Sequence, residues 1–259
     1  MTNDNLILEK IKVLYEDESV LVINKPAGLI VHSDGRNIEP SVADWVIEKF
    51  PALKDVGEPW LSPQGETIPR PGIVHRLDRE TSGVLIIAKN QDVHDFLKKQ
   101  FQDRKVEKVY RAFVYGHPKE KSGVIELEIG RTKKIPRRWT ALSGKSGNLR
   151  AAITEWRFLD VGLDPESSEK ISFLEARPKT GRTHQIRVHF KAINHPVVCD
   201  KIYASKKPCL LGFQRLALHA FQIRFQLPNA KTIEMEAPLP EDFVNALEAL
   251  NQSKNSTMK

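Results

Sequence analysis

One stretch, Gly83-Val84-Leu85-Ile86-Ile87-Ala88, does most to restrict the folds open to this chain. It carries no charge and no hydroxyl and is rich in β-branched side chains. As a strand it has no polar face, so it must be covered on both sides. A strand of that kind needs other strands beside it and further layers above and below.

The rest of the chain supplies both. Between Lys12 and Ile23 the runs KVLY and VLVI flank the acidic turn EDES, a hairpin pattern that the breakers Asn24-Lys25-Pro26-Ala27-Gly28 end. Ser41 precedes Val42, Trp45, Val46 and Phe50 at helical spacing and is a natural N-cap. Residues 51–72 are proline-rich, lack apolar periodicity and read as a long loop, a type of segment that usually serves function. Val93, Phe96, Leu97 and Phe101 form a helical stripe with lysines opposite. KVYRAFVYG alternates, and so does VIELEI, where Ile125, Leu127 and Ile129 are separated by Glu126 and Glu128. AITEWRFL and ISFLEA read as two more strands joined by the polar turn GLDPESSEK. The period then changes: Ile186, His189, Phe190 and Ile193 predict a helix from Thr183 onward, with Thr183 as N-cap and Gly181 in the preceding turn. RLALHAFQIRF is a further strand, and Phe243, Val244, Leu247 and Leu250 a short closing helix.

The expected fold class is therefore α+β, a mixed and mostly antiparallel sheet core with flanking helices. No repeat or break in composition divides the chain. One domain is expected over residues 11–251, after an extension at 1–10 and before a polar, disordered tail at 252–259.

Charge and cysteine content narrow the setting. The net charge of +7 and pI near 9.3 suit an anionic partner, RNA before an anionic membrane. Two cysteines, Cys199 and Cys209, argue against a secreted disulfide framework. There is no apolar run of about 18 residues that could cross a bilayer. MTNDNLILEK lacks the basic and apolar regions of a signal peptide, so the expected location is the cytoplasm.

Three segments hold more polar groups than strands or turns require. In residues 72–83, GIVHRLDRETSG, Asp78 sits among basic residues between the proline-rich loop and the apolar strand. The others are Lys108-Val109-Tyr110-Arg111-Ala112 and residues 177–189, RPKTGRTHQIRVH. Taken singly, Asp78 reads as a solvated turn residue, Tyr110 as a half-buried strand tyrosine and Arg187 as an exposed helix charge. A metal site is poorly supported. His184 and His189 are five apart and so lie on different faces of a helix or strand, and neither cysteine belongs to a CxxC pair.

Together these segments resemble the signatures of the RluA-type family of pseudouridine synthases, and H-R-L-D-x-x-T-S-G is the most specific of them. Asn24-Lys25-Pro26-Ala27-Gly28 is similar to the family's first motif, Tyr110 falls at its active-site tyrosine, T-G-R-T-H-Q-I-R matches its third motif and Arg215-Leu216-Ala217-Leu218-His219-Ala220 a later one. The ordered match runs from about residue 11 to 243.

The resemblance implies the pseudouridine synthase fold and an isomerase that turns uridine into pseudouridine in ribosomal or transfer RNA. It implies no cofactor, no metal and no obligate protein partner. Asp78 is then the catalytic carboxylate, Arg187 its paired cation and Tyr110 the residue packed on a flipped-out uridine. Arg76 would contact phosphate or fill the vacated stack. His75, His184 and His219 read as structural hydrogen-bonders.

The basic run Arg131, Lys133, Lys134, Arg137 and Arg138 beside Trp139 suits a loop that meets RNA phosphates. The chain starts close to the first motif and is expected to lack the small S4 RNA-binding domain of many relatives. It departs from the pattern at Cys199 and Ala204, where glycine is common, at Gln226-Leu227-Pro228, and in a long stretch at 55–70. Two other readings compete: a non-catalytic RNA-binding protein of the same fold, and a hydrolytic glycosidase or nuclease. Glycoside hydrolysis generally employs two acids; Glu80 is two residues on from Asp78, but pairing the two would tend to raise a pKa that should stay low.

Overall fold

The computed structural model describes residues 3–33, 35, 39–62, 65–132, 138–142 and 145–257. They form two compact units, one of residues 1–107 and 220–238 and one of 108–219 and 239–259.

The first unit opens with α1 (Asn3–Leu8), within the expected extension, and continues through β1 (Lys12–Glu16), β2 (Val20–Lys25) and α2 (Val42–Lys49). It goes on through β3 (Trp60–Leu61), β4 (Thr67–Ile68), β5 (Ser82–Ala88) and α3 (Gln91–Gln102). The second unit carries β6 (Glu107–Tyr115), β7 (Ser122–Glu126), β8 (Ile129–Thr132), β9 (Trp139–Thr140) and β10 (Lys145–Arg150). β11 (Ile153–Leu163), β12 (Lys170–Pro178) and α4 (Gln185–Ala192) follow. The chain returns to the first unit with β13 (Leu218–Gln226) from Ala220 on and β14 (Thr232–Glu236), and ends in the second with α5 (Glu241–Thr257).

In the first unit the strand order is β1-β2-β5-β13, with β14 on β13. The pairs β1/β2, β2/β5 and β13/β14 are antiparallel. β5 is the apolar run, and all seven of its residues are buried. Val84, Ile86 and Ala88 lie with Val20, Val22, Ile223, Phe225 and the apolar stripe of α3 in one core. The alternate residues Leu85 and Ile87, with Leu21 and Ile23 beside them on β2, are fully buried too. Gly83 fits this crowding because it has no side chain: its φ is +116°, and a Cβ would come within 2.1 Å of the Ala220 carbonyl oxygen. α2 begins at Ser41, whose hydroxyl accepts from the Asp44 amide while Asp44 accepts from the Ser41 amide, a reciprocal cap.

The second unit orders its main strands β6-β12-β11-β7, each adjacent pair antiparallel. Phe113 on β6 is its aromatic hub, with ring centroids 4.7 Å from Phe173, 5.3 Å from Phe213 and 5.4 Å from Phe243. β10, β8 and β9 form a separate antiparallel sheet.

Three local expectations are corrected. VIELEI is not one strand. It breaks between β7 and β8, where the Leu127 carbonyl lies 3.0 Å from His189 Nε2. The central helix starts at Gln185 rather than after Thr183, with His184 as its left-handed N-cap residue at φ 55°. The polar residues 252–257 continue α5 instead of forming a disordered tail. Ser253 Oγ accepts the Leu163 amide proton at 3.0 Å, and Lys254 bonds to Asp160, so the end of the helix is docked on β11. The long loop also contains structure, a short 3₁₀ turn at Pro51–Leu53 and the β3/β4 pair.

Candidate active site

Asp78 lies on an irregular segment between Ile73, which bridges to Ile87, and β5. Along this segment Arg76 is exposed, Leu77 buried and Asp78 half-buried. The turn around Asp78 is fixed by its own backbone. The Thr81 amide donates to the Asp78 carbonyl at 3.1 Å, and the Gly28 amide donates to the Arg79 carbonyl at 2.9 Å. Lys25 explains why the Asn-Lys-Pro-Ala-Gly segment accompanies the Asp78 segment. Its ammonium is fully buried and donates to the carbonyls of Pro26 and Leu29, both at 2.8 Å, and of Arg79 at 3.1 Å. Buried charge is tolerated only with such partners, and here they tie the first motif to the residue after Asp78. Arg79 reaches outward in a two-pronged contact with Glu39, at 2.5 and 2.6 Å. His75 is structural, as expected: Nε2 accepts from the Ile86 amide at 2.9 Å and the ring stacks on Phe101 at 4.7 Å.

Tyr110 and Arg187 belong to the second unit. Tyr110 is half-buried on β6, opposite Ala176 of β12 and packed against the core. Lys108, two positions earlier, shares its face of the strand, and burial pushes that amine down to about 8. Arg111 points the other way. With Arg157 and Arg177 it surrounds the buried carboxylate of Glu175, which accepts from Arg177 Nε at 2.9 Å and Arg157 Nη2 at 3.2 Å. Burial would raise the Glu175 carboxyl, yet hydrogen bonds and charge from Arg111 and Arg177 hold it below the usual carboxylate value.

Arg187, on α4, is buried rather than exposed. Its Nε and Nη2 donate to the two oxygens of Asp200, each at 2.8 Å, and its guanidinium lies 5.1 Å over the Tyr203 ring. Burial alone would raise the Asp200 carboxyl. The hydrogen bonds and charge of Arg187, with the amides of Tyr203 and Ile202, outweigh it and hold the group low.

Tyr203 gathers more of the expected site residues. Arg138 sits 5.3 Å over the same ring, and the phenol oxygen lies 2.9 Å from His184 Nδ1 and accepts the Trp139 amide at 3.3 Å. Arg131 is exposed on β8, its guanidinium 5.5 Å over Trp139. Lys133, Lys134 and Arg137 lie outside the described residues. The segment before α4 is organised by Gln185, whose Oε1 accepts from Thr180 at 2.7 Å and Arg182 at 3.0 Å while Nε2 donates to Ile153 and Thr154. His189 sits between Thr154 and Leu127.

Asp200, Tyr203 and Glu175 were not anticipated as site residues. Their partners stand in other segments, and periodicity carries no trace of such pairings. The same holds for the cysteines. Cys199 and Cys209 are joined in a disulfide with Cα atoms 4.5 Å apart, which closes the loop that carries Asp200 and Tyr203. Cys199 has φ +56°, a left-handed conformation that glycine adopts most easily, in keeping with glycine being common at this point in the resembling family.

The family model for RNA pseudouridylate synthase matches residues 19–192, which takes in the segments of Asp78, Tyr110 and Arg187. An uncharacterised RNA pseudouridine synthase of Synechocystis sp. is 36% identical over 93% of this chain and 69% of its own length. Ribosomal large subunit pseudouridine synthase D of Neisseria meningitidis is 35% identical over 92% of this chain, which spans 60% of that relative. Among solved structures, human RNA pseudouridylate synthase domain containing 1 superposes with a TM-score of 0.70 at 27% identity, covering 90% of this chain and 85% of its own. The mixed, largely antiparallel fold and the matched segments agree, and the chain belongs to the RluA-type family of RNA pseudouridine synthases.

Proposed function

We propose that this chain isomerises uridine in a structured RNA, ribosomal or transfer, with Asp78 as the catalytic carboxylate. The reaction breaks N1–C1′, turns the uracil over and forms C5–C1′. The proton lost from C5 is balanced by one gained at N1, so no atom or electron is exchanged with another reactant. Asp78 acts in its ionised form beside the sugar or base of a nucleotide taken out of its stack, which costs a few kcal/mol. Tyr110 packs on the extruded base, a contact worth about 1–3 kcal/mol, and Arg187, held in place by Asp200, is the cation that the family resemblance pairs with Asp78. Arg76, Arg131 and Arg138, with the neighbouring Lys133, Lys134 and Arg137, engage phosphates.

The observation that carries this reading is the fixed turn of Asp78: a half-buried carboxylate on a segment tied down by the buried Lys25 and the Gly28 amide, in a chain of this family. The relative named for the large ribosomal subunit favours ribosomal RNA as the first place to look. The test is a map of pseudouridines in cellular RNA with the gene intact, deleted, and carrying Asp78→Asn. Deletion and the Asn substitution should erase the same site or sites. A map that deletion leaves unchanged contradicts the proposal and returns the non-catalytic RNA-binding reading.

A further inference from the structure

The loop before Asp78 carries a cation that the proposed catalytic scheme does not use. Arg70 lies with its guanidinium 5.2 Å over the indole of Trp60, on β3. Its Nε is shut off from solvent, yet finds no acceptor among the described residues. A buried donor left unsatisfied is costly and is rare in folded proteins. Burial, and after it the charge of Arg76, pulls Arg70 below the ordinary guanidinium value, so two positive groups stand near each other. Among the described residues neither is ion-paired to a carboxylate. Glu58, two residues before Trp60, is engaged by Lys98.

The backbone beneath is held in place. The Ile73 amide donates to the Arg70 carbonyl at 3.1 Å, the Gly72 amide to Val56 at 2.8 Å, and the Ala88 amide to Gly72 at 2.9 Å. A guanidinium braced on an indole, with a second cation close enough to be felt and neither ion-paired to a carboxylate among the described residues, suits an oxyanion that its terminal nitrogens can reach.

The geometry points to a binding site for an RNA backbone phosphate at Arg70 and Arg76, with the Trp60 indole as the platform that holds the Arg70 fork. This inference rests on RNA being the substrate, and adds a contact from the 55–70 stretch in which this chain departs from the family pattern. Arg70 would grip a phosphate through its fork and so set where the strand runs relative to the Asp78 segment.

The test uses the full chain and a 5′-fluorescein-labelled RNA hairpin with a uridine in its loop, with affinity measured from about 50 to 300 mM salt. Arg70→Gln should weaken binding by about tenfold and flatten the salt slope by about 0.7–0.9, the share of one phosphate. Arg70→Lys keeps a charge but not the fork, so it should retain most of the slope with reduced affinity. RNA should also change the intrinsic fluorescence of the wild-type chain by an amount absent in Trp60→Phe, a readout that needs no Arg70 variant to fold. An unchanged slope in Arg70→Gln together with no Trp60-dependent signal overturns the proposal. Inorganic phosphate that produces the Trp60 signal at concentrations where the hairpin does not would show a free-anion site and overturn it too. Tritium release from [5-³H]uridine RNA separates this inference from the catalytic reading: loss of the Arg70 effect with isomerisation intact sinks the phosphate site alone, and the reverse sinks the isomerase alone.

Discussion

Arg187 is secured by a partner that costs something in turn, because Asp200 is almost wholly buried. Breaking a buried, hydrogen-bonded ion pair by neutralising one member typically costs about 3–5 kcal/mol. Asp200→Asn should therefore lose stability of that order at neutral pH. The pH dependence has a definite sign. A carboxyl held low in the fold contributes stability that is complete above its unfolded value, near 4, and that disappears as pH falls through the lower folded value. Stability of the wild type against urea should fall below about pH 4, and that of Asp200→Asn should fall less steeply there. Parallel acid limbs would mean that the Arg187–Asp200 pair contributes little. Sequence revealed this residue scale unevenly. The Asp78 segment stands out because it holds more polar residues than a strand or turn requires, and Gly83 follows from the strand it enters. Asp200 and Tyr203 are ordinary in sequence and acquire meaning only when folding brings them against Arg187 from 13 and 16 residues away.

The element that presents Asp200 and Tyr203 is the loop from Cys199 to Cys209, closed by the disulfide. A cross-link of this span is worth about 2–3 kcal/mol through the entropy it removes from the unfolded chain. Reduction with dithiothreitol should lower the melting temperature of the wild type, while Cys209→Ser should already melt low and ignore the reductant. Equal melting with and without reductant in the wild type would show that the bond contributes nothing to stability. Elements with one dominant signal were legible: β5 from its apolar run, α2 from Ser41 and its periodicity, and β11 and β12 from the polar turn between them. Others were decided by tertiary contacts that outweigh pattern. VIELEI alternates without interruption, yet divides because the Leu127 carbonyl is drawn to His189. The polar end of α5 lacks an apolar stripe and is held by Ser253 and Lys254. β14 was unforeseen, since TIEME is short and its strand character comes from pairing with β13.

At the scale of the whole chain, a net charge of +7 is distributed with purpose. Many arginines are engaged by acids: Arg187 by Asp200, Arg215 by Asp242, and Arg111, Arg157 and Arg177 by the single carboxylate of Glu175. The chain-wide excess of cations is seen, among the described residues, at Arg70 and Arg76. Such an excess attracts a polyanion and makes its binding depend on salt. On the proposed reading, affinity falls to many cations while the chemistry centres on the carboxylate of Asp78. The direct measurement of that division is tritium release from [5-³H]uridine-labelled RNA by the wild type and Asp78→Asn, with the RNA dissociation constant measured in parallel. Asp78→Asn should give no release above background and a dissociation constant within about threefold of the wild type, a difference of roughly 0.65 kcal/mol. Release at a comparable rate from Asp78→Asn would contradict the proposed role of Asp78.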